Sequence, residues 1–272
     1  MKIMLYTLLA ALVAYLLVVG CIYAFQRHLM YHTDRNIGPP AQYHLSGFSE
    51  GFVTTSDNET IQFWYHPADA GFPTIVYYHG NAYTLGDRAD IFSAMSSKGF
   101  GLLAISYRGY GKSTGEPTEQ GIYIDARTAL HYALESLHIP VSHVILFGES
   151  LGTGVAVQMA TEYDVGGIVL QSPYTSVEER AAEIYNFVPV KYLIKDKYDT
   201  IDKIAYVKAP LLLFHGDRDV VIPVAHGHAV LAAATSPKDA FFFPENGHND
   251  FDSAVISEHV LQFADKYHLI AH

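Results

Sequence analysis

Short apolar runs alternate along this chain with longer stretches of helical periodicity, but the alternation begins only after a first segment that is apolar throughout. From Ile3 to Phe25 no side chain is charged, a run longer than the ~20 residues a helix needs to cross a bilayer. A cleaved signal peptide has a shorter apolar core followed by polar sequence, whereas this run continues through Ile22-Tyr23-Ala24-Phe25. The pattern predicts a single-pass transmembrane anchor over 1–25, a juxtamembrane linker over 26–46 and one folded domain over 47–272. Val18-Val19-Gly20-Cys21 also has the form of a bacterial lipoprotein site, in which Cys21 would be lipidated. With Lys2 on one side and Arg27 and Arg35 on the other, charge leaves the orientation open.

Within the domain, residues 51–55 and 60–65 flank Ser56-Asp57-Asn58-Glu59 as an opening β-hairpin. Strand-like runs follow from Thr74, Leu102, Val144, Ile168, Ala209 and Ala240, with a long amphipathic helix expected from Gly121 to Leu137. Strands and helices in alternation imply an α/β fold, a mostly parallel central sheet with helices on both faces. The segment between Ser172 and Ile204 has room for one or two helices, a short helical insertion instead of a large lid.

The chemistry lies where strands end. Val144-Ile145-Leu146-Phe147 runs into Gly148-Glu149-Ser150-Leu151-Gly152, a nucleophile elbow in which glycines let a sharp strand-to-helix turn expose a serine hydroxyl. A base and an orienting acid are then required in the order Ser, Asp, His. Asp219 follows the turn His215-Gly216-Asp217-Arg218 and is the candidate acid, with Asp217 as its rival; His248, after the run Ala240-Phe241-Phe242-Phe243, is the candidate base. Leu151 and Asn81, with Ala82 next, are the candidate backbone donors of an oxyanion hole. His79 and His215, each before a glycine at a strand end, read as packing or turn histidines.

Four motifs in order, His79 to Ala82, Tyr107 to Ser113, Gly148 to Gly152 and His215 to Asp219, resemble the α/β-hydrolase superfamily. The likeness is nearest to its membrane-anchored α/β-hydrolase-domain branch, which takes in serine aminopeptidase, depalmitoylase and lysophospholipase-like members, and it spans roughly residues 47–270. Two positions depart from the pattern. Tyr83 stands where relatives have glycine, and would narrow an acyl pocket; Thr153 replaces a small glycine after the elbow. The resemblance implies a serine hydrolase acting on esters or thioesters, with Ser150, Asp219 and His248 catalytic and Asn81 and Leu151 holding the oxyanion; Tyr83, by its place after the His-Gly-Asn-Ala turn, and Tyr174, in the insertion, are the candidate substrate contacts. Tyr174, Tyr185 and Phe187 in the insertion either line an acyl groove or pack the insertion onto the sheet. Amide hydrolysis and a tethered binding module on the same fold are the alternatives.

Composition adds exclusions. A net charge of −11 disfavours nucleic acid and any polybasic grip on anionic lipid. Arg108-Gly109-Tyr110-Gly111-Lys112-Ser113 ends like a phosphate loop, but Ser106 stands where that motif needs glycine. His226 and His228, two apart, would diverge on a helix, so no metal is expected, and no motif implies a cofactor. The one cysteine, Cys21, excludes an intrachain disulfide. The oligomeric state is left open.

Overall fold

The structure, a computed structural model, describes residues 1–271. It opens with a continuous helix α1, Lys2–Met30, none of whose residues is buried. Among the described residues it is the one helix long and apolar enough to span a membrane. It runs past the uncharged segment, because Gln26, Arg27, His28, Leu29 and Met30 carry no helix breaker.

The hairpin follows as expected. Strands β1 (Ser49–Thr54) and β2 (Thr60–His66) pair antiparallel with Thr54 opposite Thr60, and Asn58 takes the left-handed conformation the turn demands. The remaining strands are β3 (Thr74–Tyr78), β4 (Gly101–Ile105), β5 (Val144–Glu149), β6 (Gly167–Gln171), β7 (Leu211–Gly216) and β8 (Lys238–Phe243). They form one eight-stranded sheet in the order β1-β2-β4-β3-β5-β6-β7-β8, parallel from β4 to β8. β3, β4 and β7 are buried along their whole length, as strands covered on both faces must be.

Helices α2 (Ala89–Ser97) and α9 (Ser253–Lys266) pack together on one face; α3 (Glu119–His131), α4 (Leu151–Glu162) and α8 (Val224–Ala233) lie on the other. The amphipathic stretch expected from Gly121 to Leu137 thus starts two residues earlier, where Thr118 caps the Gly121 amide, and passes into a π-turn at Tyr132–Ser136. Between β6 and β7 the insertion folds as α5 (Val177–Ile184), α6 (Val190–Leu193) and α7 (Ile201–Ile204). It leans on α1: the Arg27 guanidinium pairs with Asp196 at 2.7 and 3.1 Å, Gln26 donates to the Leu193 carbonyl and accepts from the Lys195 amide, and the Tyr15 hydroxyl donates to the Phe187 carbonyl.

Candidate active site

The central strands deliver their C-terminal ends to one edge of the sheet, and the candidate residues collect there. At the end of β5 the backbone of Ser150 takes φ 51° and ψ −116°, a strained conformation for a residue with a side chain. Three contacts hold it: the Ser150 amide donates to the Gln171 carbonyl at 2.9 Å, and the Ser150 carbonyl accepts from the amide and hydroxyl of Thr153 at 2.9 and 2.6 Å. The threonine that departs from the family pattern is therefore a brace for the turn. A Cβ on Gly152 would collide with the Tyr78 carbonyl, and one on Gly148 would sit 2.6 Å from the Thr153 Cα, so the close approach of β5, α4 and β3 requires both glycines.

β7 ends in Gly216, and the loop beyond it turns Asp219 back toward the elbow. Oδ1 of Asp219 accepts from the amides of Val221 and Ile222, both at 2.8 Å, and Oδ2 accepts from His248 Nδ1 at 2.6 Å. With Nδ1 carrying that proton, Nε2 of His248 presents its lone pair to the Ser150 hydroxyl at 2.9 Å. Burial alone would raise the Asp219 carboxyl, but the neighbouring His215, the hydrogen bond from His248 and the backbone amides outweigh it and hold the group well below the ordinary carboxylate range. The rival Asp217 is exposed, and its amide is spent on the Phe243 carbonyl. The His248 loop is closed by Asp250, whose carboxylate accepts from the Gly247 amide at 2.7 Å.

One residue read as a packing or turn histidine gains a specific role here, and one feature was not read from sequence at all. His215, fully buried, donates from Nε2 to the Ile222 carbonyl at 2.9 Å and lies 3.5 Å from Asp219 Oδ2, so it steadies the acid's loop. Glu149, the residue before the serine, holds Arg88 through two short contacts of 2.7 and 2.8 Å and accepts from the Tyr77 hydroxyl at 2.6 Å. Arg88 in turn donates to the carbonyls of Ala82 and Thr84. This pair ties the elbow to the loop that carries Asn81. A carboxylate directly after an apolar strand was its signal, because a buried acid needs a cation.

A cavity of about 250 Å³ opens beside Ser150. Asn81, Leu151 and Tyr174 line it together with the end of α1, helix α5 and Ile222. Tyr174 does both things considered for it: it is buried, donates to the Leu151 carbonyl at 3.0 Å, and shows its ring to the cavity. Tyr185 also lines the cavity, whereas Phe187 is exposed and outside it. Tyr83 is not brought there. Its positive φ of 68° turns it outward, and it borders a second cavity with Arg88, Glu149 and Phe251. Asn81 is fixed by its side chain, which donates to the Met30 carbonyl at 2.8 Å, and by its carbonyl, which accepts from the His32 amide and the Tyr110 hydroxyl. Among the described residues no cluster of His, Cys, Asp and Glu has the arrangement of a metal site.

Residues 72–196 match the family model described as serine aminopeptidase, S33. An uncharacterized protein of Mycobacterium tuberculosis is 34% identical over 251 residues, 90% of this chain and 89% of that protein. The fold matches an esterase of Pyrococcus furiosus with a TM-score of 0.71 at 17% identity, over 88% of this chain and 98% of that one. The chain belongs to the α/β-hydrolase superfamily. Within that superfamily it is also similar to protein bem46 of Schizosaccharomyces pombe, 26% identical over 90% of this chain and 87% of that protein. The human alpha/beta hydrolase domain-containing protein 17B is 32% identical over 66% of this chain and 61% of its own length.

Proposed function

We propose that this α/β-hydrolase is a membrane-anchored serine hydrolase cleaving carboxylic ester or thioester bonds through an acyl-enzyme. The observation that carries the reading is the unbroken chain from Ser150 Oγ through His248 to Asp219, with contacts of 2.9 and 2.6 Å, on a strained elbow beside an apolar cavity. Ser150 attacks the carbonyl while His248 Nε2 takes its proton; Asp219 stabilises the imidazolium and fixes its tautomer. The backbone amides of Leu151 and Asn81 receive the oxyanion, Leu151 because the first amide of α4 has no partner within the helix. His248 then returns the proton to the leaving alcohol or thiol, and water repeats the sequence to free the acid.

An ester fits the cavity better than the amide that the family model's description suggests. An aminopeptidase holds a free amine with an unpaired acid, and the acid lining this cavity, Asp196, is already bound to Arg27. Retention of α1 as an anchor is supported by the Tyr15 hydroxyl's hydrogen bond to the Phe187 carbonyl at 2.9 Å, a contact from within the apolar run that removal of residues up to Gly20 would discard. Trapping tests the chemistry: brief exposure to a p-nitrophenyl ester should leave an acyl group on the Ser150 peptide by mass spectrometry. Turnover with no acyl-serine at any time would count against the mechanism.

A further inference from the structure

The length of α1, measured against where the insertion touches it, sets how deep the insertion sits. Twenty-nine residues at about 1.5 Å each make a helix of about 43 Å, against a hydrocarbon core of about 30 Å. The Tyr15 hydroxyl donates to the Phe187 carbonyl at 2.9 Å, so the α5–α6 corner lies beside the middle of this helix rather than beyond its end. From Lys2 to Tyr15 the helix covers only about 20 Å. If Lys2 marks one edge of the core, the other edge falls about twenty residues on, near Ile22. Moving the core toward Arg27, or tilting the helix, immerses more of the insertion, not less.

Around this corner the exposed surface is rich in large apolar side chains. Ile184, Phe187, Tyr192, Val220 and Val221 are all half or more exposed. Of the charges nearest them, Arg180 pairs with Glu183 at 2.7 Å and donates to the carbonyls of Val220 and Val221, Lys195 lies 4.3 Å from the Tyr23 ring centroid, and Lys191 is exposed on a stem long enough to carry its charge toward the headgroups. The cavity beside Ser150 opens about 10 Å further along α1, at the edge of the core, where Ile22 and Tyr23 begin its α1 wall and Ala181, Ile184 and Tyr185 form the facing wall.

We infer that the α5–α6 corner is embedded in the lipid leaflet alongside α1, and that the groove between them admits the acyl chain of a membrane-resident ester or thioester sideways from the bilayer. This rests on the proposed function, on the serine-hydrolase reading for the bond cleaved and on α1 as the membrane anchor for the depth, while the groove itself stands on the geometry above. The acyl chain enters between Ile22 and Ala181, its carbonyl reaches Ser150, and the leaving group faces water on the His248 side.

Two measurements on the full-length chain in phosphatidylcholine vesicles test this. In a Cys21→Ser background, a nitrobenzoxadiazole probe on Phe187→Cys should be quenched more strongly by lipid bearing a nitroxide on its acyl chain than by lipid bearing it on the headgroup. Quenching by the headgroup nitroxide alone, or none, would overturn the embedding. A sixteen-carbon fatty acid with a mid-chain diazirine should crosslink to the cavity faces of α1 and α5, and Ala181→Trp should cut that yield at least tenfold. Crosslinks confined to residues 3–20, or a yield unmoved by Ala181→Trp, would overturn the groove. Failure of the hydrolase reading looks different: crosslinking at the groove persists while wild type turns over no ester.

Discussion

At the residue scale, the site depends on one acid among two and on histidines with assigned protons. Asp219→Asn should lower kcat by about 10⁴-fold, since the amide stabilises the wrong imidazole tautomer. Asp217→Asn, at an exposed position, should stay near wild type; ester turnover of the two variants side by side decides between them. His79 makes a second residue-level prediction. Its Nε2 accepts from the Tyr107 amide at 3.2 Å, which leaves the proton on Nδ1, donated to the Gly80 carbonyl at 2.6 Å. Burial, with the Arg88 charge, holds His79 down from its ordinary 6.5 to about 3. A histidine so depressed stabilises the fold fully above pH 6.5, and this contribution is lost as pH falls toward 3. Asp125, pushed up to about 6 by burial beside Arg108, acts oppositely and adds stability as pH falls through 6 toward 3.8. The difference between wild type and His79→Gln isolates the first effect: the melting temperature of the variant should fall less steeply below pH 6.5.

That Ser150, Asp219 and His248 would meet was legible because each stands where a buried apolar strand gives way to a polar turn. Their neighbours were not. The placement of Tyr83 depended on the sign of one φ angle, and the support from His215 on the loop bending back four residues.

At the element scale, β5, α4 and the loop after β3 hold one another in a fixed relation. Glu149→Ala should destabilise the protein by about 3 kcal/mol, because it leaves Arg88 buried without its carboxylate. Urea unfolding would measure this, and an unchanged midpoint would show the pair to be dispensable. The same variant should lower kcat more than it raises KM, since Arg88 no longer ties the Asn81 loop to the elbow. The hairpin, the parallel strands and the presence of a helical insertion followed from apolar periodicity and turn residues, though the insertion holds three helices and not one or two. The π-turn at Tyr132–Ser136 has no such signature, because it closes the helix and too few residues follow for the shift it makes in the apolar face to be read.

At the scale of the whole molecule, a sheet-based domain meets a long apolar helix. Deleting residues 2–25 should move the protein from the membrane pellet to the supernatant, while full-length protein remains in the pellet after a high-salt wash, because a net charge of −11 gives no electrostatic hold on anionic lipid. The apolar run was plain in the sequence. Its packing against the insertion was not, because Arg27 and Asp196 are separated by 169 positions, and neither carries a local sign of the other.

The central claim is that Ser150 is an activated nucleophile. Labelling of the folded, full-length protein by a fluorophosphonate probe, wild type against Ser150→Ala, tests it most directly. The account predicts rapid labelling of wild type and none of the variant. Equal labelling of both, or no labelling of folded wild type in a bilayer, would contradict it.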